Sequence, residues 1–205
     1  MSEPYNPFFE NDKEVKFFDG GCLPHRHQDG KLQFVTFRLA DSLPQSRLKE
    51  IKHSKELFEK EHPKPWDRAT SIKYWNEVGR LSEKYLHACC GSCCLKDSRV
   101  RTILENVIMQ NNGVLYTIVA YVIMPNHVHM LIVPHGANKV NELLGGIKRL
   151  ASLRINRLLG RKGALWQSES YDRIVRSEED LKYNRNYIKS NPCFLNEDEY
   201  SLYLL

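Results

Sequence analysis

Two short motifs in this 205-residue chain carry side chains that can do chemistry together. Tyr121-Val122-Ile123-Met124-Pro125-Asn126-His127-Val128-His129-Met130-Leu131-Ile132 sets two histidines two residues apart in an apolar run. Along a strand, that spacing projects both imidazoles to one side and Val128 to the other. Two imidazoles at that separation can share one divalent cation, and a strand holds them more rigidly than a loop. Taken in isolation, such a pair is more often two half-exposed histidines on a sheet face. The second motif is Tyr183-Asn184-Arg185-Asn186-Tyr187-Ile188-Lys189-Ser190-Asn191-Pro192, in which Tyr183, Tyr187 and Asn191 are spaced by four, one stripe of a helix. A phenol and a carboxamide one turn apart can present a nucleophile and a metal-binding oxygen to one point. The same stripe also describes an amphipathic helix with packing tyrosines and Asn191 as its C-terminal cap.

The elements that must position these groups are legible around them. Residues 32–39 are rich in β-branched and aromatic side chains and predict a strand, ended by Asp41-Ser42-Leu43-Pro44. A charged helical tract over 45–61 follows, breaks at His62-Pro63-Lys64-Pro65 and resumes over 71–86. We expect residues 45–97 to be a largely helical insertion in a single domain spanning 1–205. From Ser98, Val100, Ile103, Leu104, Val107 and Ile108 recur at helical spacing, and Asn111-Asn112-Gly113 stops that helix. Strands over 115–124 and 127–133, joined by Pro125-Asn126, predict an antiparallel hairpin. A helix over 139–159 buries Val140, Leu144, Ile147, Ala151, Ile155 and Leu158. Extended chain over 165–175 precedes Ser177-Glu178-Glu179-Asp180, an N-cap with acidic first turn, and Pro192 ends the helix that starts there. This order describes an α+β domain, an antiparallel sheet covered on one face. Residues 1–30 are polar and irregular, with breakers at Gly20-Gly21, Pro24 and Asp29-Gly30, and His25-Arg26-His27 reads as surface.

The net charge of +5 is unevenly placed: residues 139–162 carry seven cations against Glu142, a net +6, which leaves −1 for the remainder. One basic element on a near-neutral chain is the footprint of a polyanion partner or of a solvated helix face. No apolar run approaches the roughly 20 residues of a membrane helix. The start Met1-Ser2-Glu3-Pro4-Tyr5-Asn6 is unlike a secretory signal. Four of six cysteines fall within 89–94, which is no spaced disulfide framework, so a cytoplasmic location is expected. Cys90 and Cys93 have zinc-ligand spacing, with His87, Cys22 and Cys193 as loose partners; buried thiols are the default.

Taken together, Met124-Pro125-Asn126-His127-Val128-His129 and Tyr187-Ile188-Lys189-Ser190-Asn191-Pro192 resemble the HUH single-tyrosine transposases, most nearly their REP-associated tyrosine transposase branch. Trp166-Gln167, the run from Tyr171 to Glu179, and Phe34-Val35-Thr36-Phe37-Arg38-Leu39 with Asp41-Ser42-Leu43-Pro44 fit the same branch, so the resemblance covers 32–44 and about 95–193. It implies a ferredoxin-like antiparallel sheet and attack by Tyr187 on single-stranded DNA. It also implies a divalent ion held by His127, His129 and Asn191. Tyr183 is the alternative nucleophile, but the residue one turn on is Tyr187 rather than a metal-binding side chain.

The implied chemistry is coherent. Neutral imidazoles and an amide oxygen leave the cation its full charge for a phosphate, and Mg²⁺ or Mn²⁺ suits that transient contact better than a closed zinc site. The expected product is a 5′-phosphotyrosine and a free 3′-hydroxyl. Lys148, Arg149, Arg154 and Arg157 are placed to follow the phosphates of a DNA hairpin. Gly145-Gly146 interrupts their helix, for close backbone approach or for a bend. Two other readings stand beside the transposase: a relaxase-like or replication-initiator-like nicking enzyme, which the short chain disfavours, and a catalytically silent hairpin-binding protein. The chain is expected to act as a monomer or homodimer.

Overall fold

Phe34, Thr36, His127, His129 and Leu131 alternate along two strands with Val35, Phe37, Val128, Met130 and Ile132, and this alternation gives the sheet two distinct faces. The computed structural model describes residues 5–11, 15–19, 24–64 and 66–205; Gly20, Gly21, Cys22, Pro65 and the first four residues lie outside them. For His25-Arg26-His27 only the backbone is described. In chain order the elements are β1 (Lys16–Asp19), β2 (Pro24–His27), β3 (Gln33–Arg38), α1 (Gln45–Glu61) and α2 (Arg68–Tyr74). A π-helical turn (Trp75–Gly79) leads to α3 (Arg80–His87), then α4 (Ser98–Met109), β4 (Tyr116–Ile123), β5 (His127–Pro134) and α5 (Val140–Leu158). The chain closes with β6 (Tyr171–Ile174), α6 (Glu178–Ser190) and β7 (Ser201–Leu204). Among the described residues no helix is long and apolar enough to cross a membrane.

Two compact units result, residues 1–40 with 94–205, and residues 41–93. In the first, β3, α4, β4, β5, α5 and β6 build a sheet of order β6-β3-β5-β4, which is the ferredoxin-like arrangement, and β7 adds to the free edge of β4. All its neighbouring strands are antiparallel. β4 and β5 form the expected hairpin, closed by the Met124 N–H donating to the His127 carbonyl at 2.8 Å across Pro125-Asn126. The N-terminal segment differs from the irregular chain expected: β1 and β2 pair as a separate ladder. Runs of four residues containing a proline or flanked by glycines are too short to stand out by periodicity.

The helices divide between the sheet faces. α4 and α5 pack on each other and on the face bearing Val35, Phe37, Val128, Met130 and Ile132, where Leu104, Ile108, Leu144, Ala151 and Ile155 complete the main core. α6 lies on the opposite face through Ile188, against Phe34, Ala120, Val122 and Leu131. The cover is therefore two-sided. β5 is buried on both faces, as its nearly unbroken apolar run allows. Arg101, itself buried, bonds the carbonyls of Leu95 and Lys96 and the hydroxyl of Ser201, tying α4 to the start of β7.

In the second unit, Phe58, Val78 and Leu86 are buried, and the Phe58 ring meets His62, Trp66 and Tyr74. Its two ends are pinned to each other: the Asp41 carboxylate accepts from the Ser92 N–H at 2.9 Å. Gly91 has φ +88°, and an added Cβ would sit 2.4 Å from the Asp41 carbonyl oxygen, so no other residue fits. The Cys93 thiol donates to the Cys89 carbonyl, and burial, with Cys89 beside it, pushes its pKa up to about 11. Among the described residues no three cysteine sulfurs converge as metal ligands.

α5 runs unbroken through Gly145-Gly146, and a Cβ added at either position meets nothing within 4 Å. Close approach by another part of the protein is therefore not what these glycines serve. Gly145→Ala and Gly146→Ala should each stabilise the fold by about 0.5–1 kcal/mol, seen as a raised Tm. A fall in Tm would contradict this reading of α5.

Candidate active site

His127 and His129 point to the α6 face of the sheet because they sit two apart in β5, and both are buried, at 1% and 0% exposure. Their rings meet edge to face with centroids 4.7 Å apart, and their ligand atoms lie within 4.8 Å of each other. Neighbouring strands supply the supports. Thr36 of β3 stands opposite His129 in register, and its hydroxyl is 2.7 Å from His129 Nδ1. The Asn126 amide oxygen, in the hairpin turn, is 2.7 Å from His127 Nδ1. With both Nδ1 atoms so engaged, the buried Nε2 atoms are the ones that can ligate.

α6 delivers the second motif. Ser177 caps it, accepting from the Asp180 N–H, and Glu178, Glu179 and Asp180 complement the positive end of the helix. Arg173 of β6 then clamps it with two 2.7 Å bonds to the Asp180 carboxylate and a third to Asn184 Oδ1 at 3.1 Å. Burial opposes the Asp180 charge, but the Arg173 hydrogen bonds and charge outweigh it and hold the carboxyl below its ordinary value. For Arg173, burial likewise works against the charge and the Asp180 contacts prevail, raising it. Because the folded Asp180 pKa is depressed, this support is present above the unfolded carboxylate value of ~3.9 and is lost as pH falls through the folded value. Asp180→Asn should loosen α6, costing about 2 kcal/mol and speeding amide exchange in α6 more than in β5. Equal exchange in both elements would contradict a clamp.

Held this way, the stripe of α6 runs from an exposed end to a buried one. Tyr183 is 60% exposed, Tyr187 is half-buried, and Asn191 is 5% exposed. The Tyr187 ring lies edge-on to His129, centroids 5.1 Å apart, and edge-on to Phe34 at 5.9 Å, while Phe34 stacks on His129 at 5.6 Å. Asn191 ends the helix, but both atoms of its amide are buried without a hydrogen bond, so the side chain is no cap. Such a group costs about 1–3 kcal/mol until it finds a partner. A cation would supply the oxygen with one. The two imidazole nitrogens, whose ligand atoms lie within 4.8 Å of each other, suit a divalent ion.

The basic helix is on the other face of the sheet. Arg149, Arg154 and Arg157 are exposed, and Arg154 also reaches Gln110 Oε1. Arg149 and Arg157, with Ser152, Asn156, Arg161 and Lys162, line an open hollow of about 790 Å³. Lys148 differs. Its ammonium donates to the Ser168 carbonyl at 2.8 Å and the Ser170 hydroxyl at 3.2 Å, tying α5 to the chain before β6. Burial first, and then the Arg38 charge, lower its pKa to about 8. Arg38 stands opposite His127 in register and is itself half-buried. The sequence pattern had not singled out Thr36, Asn126, Arg173 or Asp180 as supports of the site. Thr36 and His129 are 93 residues apart, and only strand register brings them together.

The fold and site define a ferredoxin-like domain with a buried histidine pair in a central strand and a tyrosine helix laid over it. Residues 93–191, within which His127, His129, Tyr187 and Asn191 fall, match the family model described as transposase, IS200 like. Among solved structures, the chain is similar to a REP-associated tyrosine transposase bound to a REP hairpin, at 14% identity and TM-score 0.43, covering 95% of this chain and 74% of that one. It is also similar to a protein of Deinococcus radiodurans described as a transposase, at 14% identity and TM-score 0.35, covering 78% and 88%. No curated protein matches the sequence.

Proposed function

We propose that this chain cuts and rejoins single-stranded DNA at hairpin-bearing sites, with Tyr187 as nucleophile and a divalent ion, Mg²⁺ or Mn²⁺, at His127, His129 and Asn191. The observation that carries the reading is the edge contact of Tyr187 with His129; the buried, unbonded amide of Asn191 one turn further along α6 supports it. When bound, a divalent cation at these donors supplies positive charge to a non-bridging phosphate oxygen. The chain's own residues do the rest. Phe34 and His129 wall the Tyr187 ring and limit its swing. The phenol gives up its proton to solvent, its oxygen bonds the phosphorus, the P–O3′ bond breaks, and the leaving 3′-oxygen takes up a proton. The phosphotyrosine conserves the bond, so attack by another 3′-hydroxyl reverses the step and rejoins strands. Exposed Arg149, Arg154 and Arg157 support a polyanion partner on the α5 face.

The test is incubation with hairpin-bearing single strands and Mn²⁺, followed by denaturing gels and a second strand offering a 3′-hydroxyl. We expect a covalent protein–DNA band and its resolution into a joined product. A band without joining would favour the nicking enzyme. Binding without a band would favour the silent hairpin-binding protein.

A further inference from the structure

The bond between Asn126 and His127 does more than orient a ring. An amide oxygen only accepts hydrogen bonds, so His127 must carry its proton on Nδ1, and the lone pair is left on Nε2. Asn126 is fully buried and fixed by its backbone: its carbonyl accepts from the Leu39 N–H at 2.9 Å, and the neighbouring Met124 and His127 close the turn. The Thr36 hydroxyl can donate or accept, so it fixes the orientation of His129 without choosing its tautomer. Neither support bears a charge. A carboxylate in the same place would raise the basicity of the imidazole and deepen metal affinity.

We infer that Asn126 is a positioning residue that sets the metal-ready tautomer of His127 and, by being neutral, keeps the site weak and exchangeable, suited to Mg²⁺ or Mn²⁺ rather than to tightly held zinc. The inference rests on the histidine pair being a metal site. It deepens the proposed function by naming what sets the choice of ion. Weak holding matters chemically, because a cation that must contact and release a phosphate on each turnover is poorly served by a closed site.

The test uses the full chain without DNA, so it stands or falls separately from the adduct assay. In ¹⁵N-histidine spectra of the metal-free protein, at a pH where the imidazoles are neutral, His127 should show a protonated Nδ1 and an unprotonated Nε2. Asn126→Leu should lose that preference and weaken Mn²⁺ binding by about 10–100-fold. Asn126→Asp should keep the tautomer and bind both ions more tightly, with Zn²⁺ gaining more than Mn²⁺. Thr36→Val, as a control for altered packing around the pair, should leave the His127 tautomer unchanged. Should Asn126→Leu fail to fold, the wild-type spectrum and Asn126→Asp carry the test. A wild-type His127 protonated on Nε2, unchanged Mn²⁺ affinity in a folded Asn126→Leu, or an Asn126→Asp no tighter for Zn²⁺ than the parent would each overturn the inference.

Discussion

Tyr187→Phe is expected to abolish the covalent DNA adduct while leaving the protein folded and able to bind DNA. The substitution removes one oxygen and keeps the ring that packs edge-on to His129 and Phe34, so packing on the sheet face is preserved. Losing a nucleophile costs on the order of 10⁴ or more in rate, far beyond any effect of such a small change in packing. Adduct yield should fall below detection, with hairpin affinity within about twofold of the parent. Tyr183→Phe is the matched control. Its side chain is 60% exposed and faces solvent one turn earlier, so adduct formation should not change. Normal yield from Tyr187→Phe would remove the assignment.

Replacing a histidine should have the next largest effect. His129→Ala takes away one of two imidazoles and also opens a hole among Phe34, His127 and Tyr187, leaving the Thr36 hydroxyl without its bond. A cavity of that kind costs about 2–4 kcal/mol, which would confound an activity loss. His129→Gln is the cleaner variant, since it keeps most of the volume and a group able to bond Thr36. Mn²⁺ affinity should fall by at least about 100-fold, because a direct ligand matters more than the outer supports whose loss costs 10–100-fold. Adduct formation should fall in parallel and recover in part at high Mn²⁺. If His129→Gln keeps full Mn²⁺ affinity, the histidine pair is not the cation site.

Much of the frame could be read from the sequence, because local signals and tertiary outcome agree there. Two apolar runs flanking Pro125-Asn126 can hardly pair otherwise than as a hairpin, and β4 and β5 do so. Ser177 with three following acids marks a helix start, and it caps α6. β7 gave no such signal: four residues after a proline-ended helix become a strand only because the β4 edge is there to pair with. The face that α6 covers was equally hidden, since its stripe shows which residues share a side, not which sheet face receives them.

At the site, the spacing of His127 and His129 and of Tyr187 and Asn191 was legible, but their supports were not. The partners Thr36 and Arg173 come from other strands, and their roles depend on register. Lys148 shows the limit of charge patterning. Its place on a basic helix suggests a solvated cation, whereas the chain before β6 folds over it and takes its hydrogen bonds.

The most direct measurement is mass spectrometry of the adduct formed on a hairpin-bearing single strand with Mn²⁺. Trypsin cuts after Lys182, Arg185 and Lys189, so Tyr183 and Tyr187 fall on separate peptides, 183–185 and 186–189. The nucleotide should be found on 186–189, joined through a 5′-phosphate. A nucleotide on 183–185, or on any peptide outside α6, would contradict the account.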